Sequence, residues 1–354
     1  MSAMTPAGDY RTSYRADMTI MATRNSRIAL ALGIALACAA PFVLDGYMLD
    51  LLVMIGIFGI AALGLNILVG FTGQISIGHA AFFGFGAFAS AYFHEHGVAV
   101  VIAIPLAGIA TAVVGLVFGL PAARLKGLYL AIATLAAQYI LEDFFARAQW
   151  FTGGVAGRMT ESPTIAGWVA GRPESFFYVV IVAVILMFGA AANLMRTRDG
   201  RALVAVRDHY LSAEMMGINL AYYRMLSFGI ASFYAGIAGA LYAHYRLFVS
   251  VEAFTILFSI QFLGMVIIGG LGSIAGSLMG AAFMVLLPEV VEGLANLLTG
   301  SAIDRALRLG ASISFLREMA IGAAIIVFLV FEPDGLARRW RLIKAYWKLY
   351  PYSH

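Results

Sequence analysis

The chain has 354 residues, of which 62% are apolar and only 12% charged, with a mean hydropathy of +0.89 and a formal charge of +4. An ordinary soluble domain is about 45–50% apolar and about 25% charged, so this composition excludes a soluble globular protein and places the chain in a bilayer. No basic block interleaved with aromatics occurs away from the termini, which removes nucleic acid as a partner and leaves membrane orientation to explain the excess of Arg.

Residues 1–27 read as a polar N-terminal tail. Arg24 and Arg27 followed by Ile28–Leu44 have the form of a signal peptide as well as of a first span; the topology closes better when the segment is retained. Cys38, the single cysteine, rules out an intrachain disulfide framework, and its apolar setting predicts a buried, inert thiol. Apolar runs near the length of a bilayer crossing follow at 28–45, 48–70, 75–93, 98–123, 127–146, 176–195, 226–246, 255–272, 276–299 and 318–332. Helices are the expected element, because each satisfies its own backbone in hydrocarbon. The fold class is therefore an all-α polytopic membrane protein of about ten, or eight to ten, transmembrane helices. Its transmembrane domain covers 28–335 with a polar loop at 196–225, and a C-terminal tail covers 336–354.

Basic residues orient the bundle. With the N-terminus inside, the inner segments hold Arg11, Arg15, Arg24, Arg27, Arg124, Lys126, Arg196, Arg198, Arg201, Arg207, Arg224, Arg338, Arg339, Arg341, Lys344 and Lys348. These are sixteen of the 23 Lys and Arg; Arg147, Arg158, Arg172, Arg246, Arg305, Arg308 and Arg317 fall outside. Both termini and the polar loop thus face the cytoplasm.

Two stretches carry glycine where a spanning helix should be continuous. Gly73-Gln-Ile-Ser-Ile-Gly78 is echoed by Gly272-Ser-Ile-Ala-Gly276, and each precedes an Ala-Ala-Phe, at 80–82 and 281–283. Paired glycine-interrupted segments point to a central site in transporters. The segments 75–93 and 255–299 are accordingly the ones that can be re-entrant. Asn66, Thr72, Gln74, Ser76 and His79, with Gln261 and Ser273 at the second stretch, offer neutral polar groups suited to lining a passage for a small polar solute. Hydrogen bonding between helices is the other use for the same groups.

Chemistry of other kinds has nothing to stand on. A phosphate-cradling loop needs Gly-Lys followed by Ser or Thr, whereas Lys126, Lys344 and Lys348 precede Gly, Ala and Leu. His94-Glu95-His96 is the only histidine cluster and suits a solvated loop; no metal, cofactor or catalytic triad is expected in this chain. Asp50, Glu142, Asp143, Glu252 and Glu318 fall near span ends, while Glu289 and Glu292, after Pro288, sit deeper and supply the alternative of an ion-coupled carrier.

The polar island Asp199–Leu220 is the segment least expected between two spans. Asp199 is placed as an N-cap and Gly217 as a left-handed terminator, followed by Asn219. Leu203, Val206, Tyr210 and Ala213 form one apolar stripe, with Arg201, Asp208 and Ser212 opposite. Such a helix lies flat on a membrane or fills a groove on a partner.

Gly64-Leu-Asn-Ile-Leu-Val-Gly-Phe-Thr-Gly-Gln-Ile-Ser-Ile-Gly-His-Ala-Ala-Phe82 resembles the signature of branched-chain amino acid ABC-importer permeases of the LivM type. Lys126-Gly-Leu-Tyr-Leu-Ala-Ile-Ala-Thr-Leu135, Thr152-Gly-Gly154, Ala235-Gly-Ile-Ala-Gly-Ala-Leu-Tyr242 and Met265-Val-Ile-Ile-Gly-Gly-Leu-Gly-Ser273 resemble it too, over about residues 45–335. The resemblance implies a permease subunit in a bacterial inner membrane, paired with a second, related permease. Two cytoplasmic ABC ATPases, which would hold the ATP and Mg, would drive it, and a periplasmic binding protein would deliver substrate. Residues 199–220 then look like the helix that couples to the ATPase, through Arg201, Arg207, Asp208, Tyr210, Ala213, Glu214 and Gly217. Tyr210 stands where such loops commonly have glutamate and Ser212 where they have alanine, so Arg207, Asp208 and Glu214 are the charges placed to substitute. The outer Gly153-Gly-Val-Ala-Gly157 lacks the acid that often precedes its last glycine. The substrate stays open among branched-chain and other amino acids, urea, short amides and other acids.

Overall fold

A computed structural model describes residues 24–121, 124–125, 127–165, 168–169, 171–298 and 309–349, and most of these are helical. Residues 1–23 and 350–354 of the expected tails, and Lys126, Arg305 and Arg308 of the orientation count, lie outside the described residues. The helices run over Arg24–Val43 (α1), Gly46–Asn66 (α2), His79–Glu95 (α3), Val100–Gly119 (α4), Leu128–Arg147 (α5) and Pro173–Leu194 (α6). Arg198–Asp208 (α7) and Tyr210–Met215 (α8) make up the polar island. Leu220–Arg246 (α9), Ile256–Gly269 (α10), Ile274–Leu298 (α11), Leu309–Phe331 (α12) and Gly335–Leu349 (α13) complete the chain.

Among the described residues, eight helices are long and apolar enough to cross a membrane. They are Gly46–Phe71, Val100–Gly119, Leu128–Arg147, Pro173–Leu194, Leu220–Arg246, Val251–Gly269, Ile274–Leu297 and Ile313–Phe331, the lower bound of the expected eight to ten. The expected span 75–93 is not among them. Its first residues are extended, and α3 has 17 residues against the roughly 20 a full crossing needs.

The bundle is built around α9, which α2, α3 and α4 all contact. α4 shows why they pack closely. Ala103, Ala107, Thr111, Gly115 and Gly119 recur every fourth residue and are buried, whereas Ile102, Ile109, Val113 and Val117 on its other side are exposed. Small residues at four-residue spacing let backbones approach where lipid supplies no hydrophobic drive between helices. A Cβ on Gly236 of α9 would come within 3.0 Å of Gly108 Cα and closer still to Thr111, and one on Gly86 of α3 would strike the Gly236 backbone. Three helices therefore meet at Gly86, Gly108 and Gly236.

One expectation is corrected at the edges. Cys38 is free and exposed rather than buried; α1 lies along α2 and α6, and the Tyr178 hydroxyl donates to the Cys38 carbonyl at 3.1 Å. Gly335–Leu349, which covers most of the expected tail 336–354, forms a basic amphipathic helix: Arg338, Arg341 and Lys344 are exposed, and so are Trp340 and Ile343 on its apolar side. Its first residue, Gly335, seats against the backbone of Gly270.

Gly236→Leu should abolish cooperative thermal unfolding of the detergent-purified chain or lower its midpoint sharply, since overpacking alone costs about 1–3 kcal/mol. Val113→Leu, on the exposed side, should leave the midpoint unchanged; equal effects would refute the small-residue packing.

Candidate functional site at the paired helix breaks

α2 leaves α-geometry at Asn66, runs through a π-helical turn at Ile67–Phe71, and the chain stays extended to Gly78 before α3 starts. The Thr72 hydroxyl donates back to the Ile67 carbonyl at 2.9 Å, and Gly73 turns the chain at φ +73, a left-handed value that glycine adopts at no steric cost. Beyond it, Gln74 and Ser76 point inward while Ile75 is exposed, the period-two alternation of extended backbone. The second break follows α10, where Gly270 at φ +115 and Gly272 at φ +71 reverse the chain into α11.

The two breaks touch each other. A Cβ on Gly70 would collide with the Gly272 nitrogen and with the Asn66 side chain. Asn66, fully buried, joins them: Gly272 N–H donates to its Oδ1 at 2.8 Å, and its Nδ2 donates to the Ser273 carbonyl and the Ser277 hydroxyl, both at 2.9 Å. A backbone donor and a backbone acceptor on consecutive residues fix which end of the amide is which. The Ser273 hydroxyl accepts from Gly276 N–H at 3.1 Å and so starts α11.

α3 begins inside the bundle, and neighbouring side chains satisfy its first N–H groups. Ala80 N–H donates to Ser259 Oγ at 2.9 Å and Ala81 N–H to Gln138 Oε1 at 3.0 Å. His79 holds the Ala61 carbonyl through Nε2 at 2.9 Å and stands edge-on to Phe262. Gln261 is half-buried on α10, and no described bond joins it to this cluster. Asn66, Thr72 and His79 are thus engaged between or within helices. Gln74 is only half engaged: its Nε2 donates to Ser227 Oγ at 2.6 Å, while its Oε1, like the Ser76 hydroxyl, is buried without a partner among the described residues.

The polar island lies against these breaks as two helices rather than the single one expected. Thr197, not Asp199, caps α7 by accepting from Gly200 N–H at 3.2 Å; Asp199 sits in the first turn and accepts from the Tyr223 hydroxyl at 3.1 Å. His209 ends α7 and caps α8, its Nδ1 accepting from Ser212 N–H at 3.3 Å. Ile218 N–H to Ala213 and Gly217 N–H to Glu214 then close a Schellman turn, with Gly217 at φ +83. Leu203, Val206 and Ala213 face the bundle, but the break at His209 turns Tyr210 of the expected stripe outward. Arg201, Asp208, Ser212 and Glu214 are exposed, beside Leu211, Met215 and Met216.

Arg207 reaches both breaks. Its Nη1 donates to the Gly70 carbonyl at 2.7 Å, its Cγ lies 3.0 Å from where a Gly73 Cβ would stand, and Nη1 lies 3.0 Å from the corresponding point on Gly272. Asp208 takes its other nitrogens at 2.8 and 2.7 Å. Arg207 and Asp208 are therefore paired with each other, both side chains still exposed, and Glu214 is exposed as well. Arg224, one inner charge among several in the sequence, is buried at 7% exposure, its carbonyl accepting from Ser227 Oγ at 2.7 Å.

At the opposite end of the bundle, Gly153, Gly154 and Gly157 all take positive φ, and Arg158–Met159 pairs with Phe248–Val249. Arg158 reaches Glu95 at 2.9 Å; within His94-Glu95-His96, Glu95 and His96 are exposed and His94 is partly buried. A cavity of about 260 Å³ opens there beside Asp50, Phe176, His244, Tyr245 and Arg246, with the Tyr245 hydroxyl donating to Asp50 at 2.6 Å. Among the described residues, no cluster of His, Cys, Asp and Glu could hold a metal.

Residues 47–330 match the family model described as the permease component of the branched-chain amino acid transport system. The high-affinity branched-chain amino acid transport system permease protein LivM of Salmonella typhimurium is 29% identical over 339 residues, 89% of this chain and 75% of the relative. Its Escherichia coli namesake gives the same figures. A probable LivM of Methanocaldococcus jannaschii is 30% identical over 240 residues, 67% of each chain. No solved structure matches.

Asn66→Leu keeps the bulk and deletes every bond of the amide, leaving Gly272 N–H unpaired at about 1–3 kcal/mol, while the Ser273 carbonyl keeps its bond from Ser277 N–H. The expected outcome is a clearly lower unfolding midpoint in detergent than that of Thr72→Val, which removes one bond; matching midpoints would show that Asn66 joins nothing of consequence.

Proposed function

The chain belongs to the branched-chain amino acid transport permease family, and on that footing we propose how it is driven and what it carries. It is a multi-pass membrane protein and a transport permease. Our reading is that it serves as one permease of an ATP-binding-cassette importer in a bacterial inner membrane, with both termini cytoplasmic, carrying branched-chain or related amino acids inward. A second permease, two ATPases and a periplasmic binding protein complete the machine, and ATP and Mg belong to the ATPases.

One observation carries this reading: Arg207, on the polar island, is bonded to one helix break and packed on the other. An ATPase gripping the exposed Leu211, Met215 and Met216 would move α7 and α8. Arg207 would then leave the Gly70 carbonyl or drag it along. A partner shifts a conformational equilibrium only by binding its two states differently, and α8 offers the exposed surface on which to do so. Gln74 and Ser76, each with an unpaired buried oxygen at the first break, are the groups we place beside the passage; Asn66, Thr72, His79 and Ser273 hold the frame around them. An ion-coupled carrier through Glu289 is not favoured, because the Tyr47 hydroxyl donates to Glu289, and Arg317 pairs with Glu292.

Co-expressed with its four partners in vesicles, Arg207→Gln should leave ATP hydrolysis running while leucine uptake falls roughly tenfold or more, the equivalent of one charge-assisted hydrogen bond of about 1.5–3 kcal/mol. Uptake that stays in step with hydrolysis would remove Arg207 from the coupling path.

A further inference from the structure

α13 carries more positive charge than the described carboxylates around it neutralise. Residues 335–349 contain no Asp or Glu, while Arg338, Arg341 and Lys344 recur at three-residue spacing as one exposed stripe. Like charges so spaced on a helix repel one another. Arg338 is paired with Asp334, and Arg339, on the apolar side, with Glu332. Arg341 reaches only a carbonyl of its own helix, that of Ala337 at 3.3 Å. Neither Arg341 nor Lys344 has a carboxylate partner among the described residues.

The apolar side is also uncovered beyond its first turn. Leu336, Trp340 and Ile343 share a face at four- and three-residue spacing. Gly335 and Ala337 are buried against the second break, and Leu336 packs on the core. Past them Trp340, Leu342, Ile343 and Tyr346 are all exposed.

The preceding helix fixes where these side chains lie. No residue in the apolar window of α12 is buried, so α12 presents itself to lipid. A turn closed by Gly335 N–H on the Glu332 carbonyl at 2.9 Å joins the two helices. α13 therefore starts at the level where the span ends, in the headgroup layer. Gly335 and Arg207 both reach the second break, which puts that layer on the polar-island side. Tryptophan and tyrosine favour the boundary of such a layer, aliphatic side chains its acyl side and cations its anionic headgroups.

We propose that α13 docks on an anionic bilayer surface, with Trp340 and Ile343 at the acyl boundary and Arg341 and Lys344 against the headgroup charge. Docking of this kind needs only this chain and a bilayer, whatever solute the permease carries.

The test uses the full chain in nanodiscs, with Cys38→Ser to remove the native thiol and Ile343→Cys labelled with the environment-sensitive dye NBD. Nanodiscs containing phosphatidylglycerol should give blue-shifted emission relative to phosphatidylcholine alone. Salt at about 1 M, where screening shortens to about 3 Å, should reverse the shift. The same dye at Ala345→Cys, two residues on and across the helix, should stay in water. Arg341→Gln and Lys344→Gln should each lower the docked-to-free ratio about fivefold. An equal shift in phosphatidylcholine, an equal shift at residues 343 and 345, or no loss on removing both cations would each overturn the assignment. So would a shift that appears only when other subunits of the assembly are added, which would make the occupant a protein.

Discussion

The Asn66 amide holds together two stretches of backbone that hydrocarbon would not otherwise tolerate. A helix interrupted in a bilayer exposes N–H and C=O groups with no water to take them, and each unsatisfied group is costly. Here the interruptions face each other, so one side chain can serve the second while its own helix forms the first. The rest of the arrangement follows from that economy. Gly70 must lack a side chain for the breaks to approach, Gln138 and Ser259 must cap α3, and Arg207 must close the Gly70 carbonyl from the polar-island side.

Around this centre the packing inverts the soluble pattern. Large apolar side chains are exposed along the outside of α4, and alanine, glycine and threonine line its contact with α9. Packing of small residues against a central helix gives the bundle rigid walls. The freedom to move is then left to the places where helical hydrogen bonding has already been given up, at 67–78 and 270–273. A permease needs both properties at once.

Much of this was legible in the sequence. Long apolar runs gave the helices, because transfer to hydrocarbon is a local, additive property. The glycine echo gave both breaks, since left-handed backbone leaves its mark in residue type at Gly73 and Gly272. The partners were not legible: Asn66 and Ser273 are two hundred residues apart, and nothing in either neighbourhood names the other. Hydropathy also overextended α3 toward residue 75, because it measures solvation and not where backbone bonds fail. His209 splits the polar island because its side chain competes with the helix for an N–H, an effect that the periodicity of apolar residues does not register. Arg224 read as an ordinary inner charge, since burial by distant helices leaves no trace in its own segment.

The C-terminal helix is seated, not merely appended. Gly335 rests on the Gly270 backbone, and a methyl group there would meet Gly270 Cα and nitrogen at 2.6 Å. α13 is therefore the long arm of a lever whose short arm ends in the second break, with Trp340, Ile343 and its cations spread along the outer length. A load on that arm, whether from a lipid surface, a neighbouring subunit or an affinity handle fused behind it, is delivered to the same few residues that Asn66 holds from the other side.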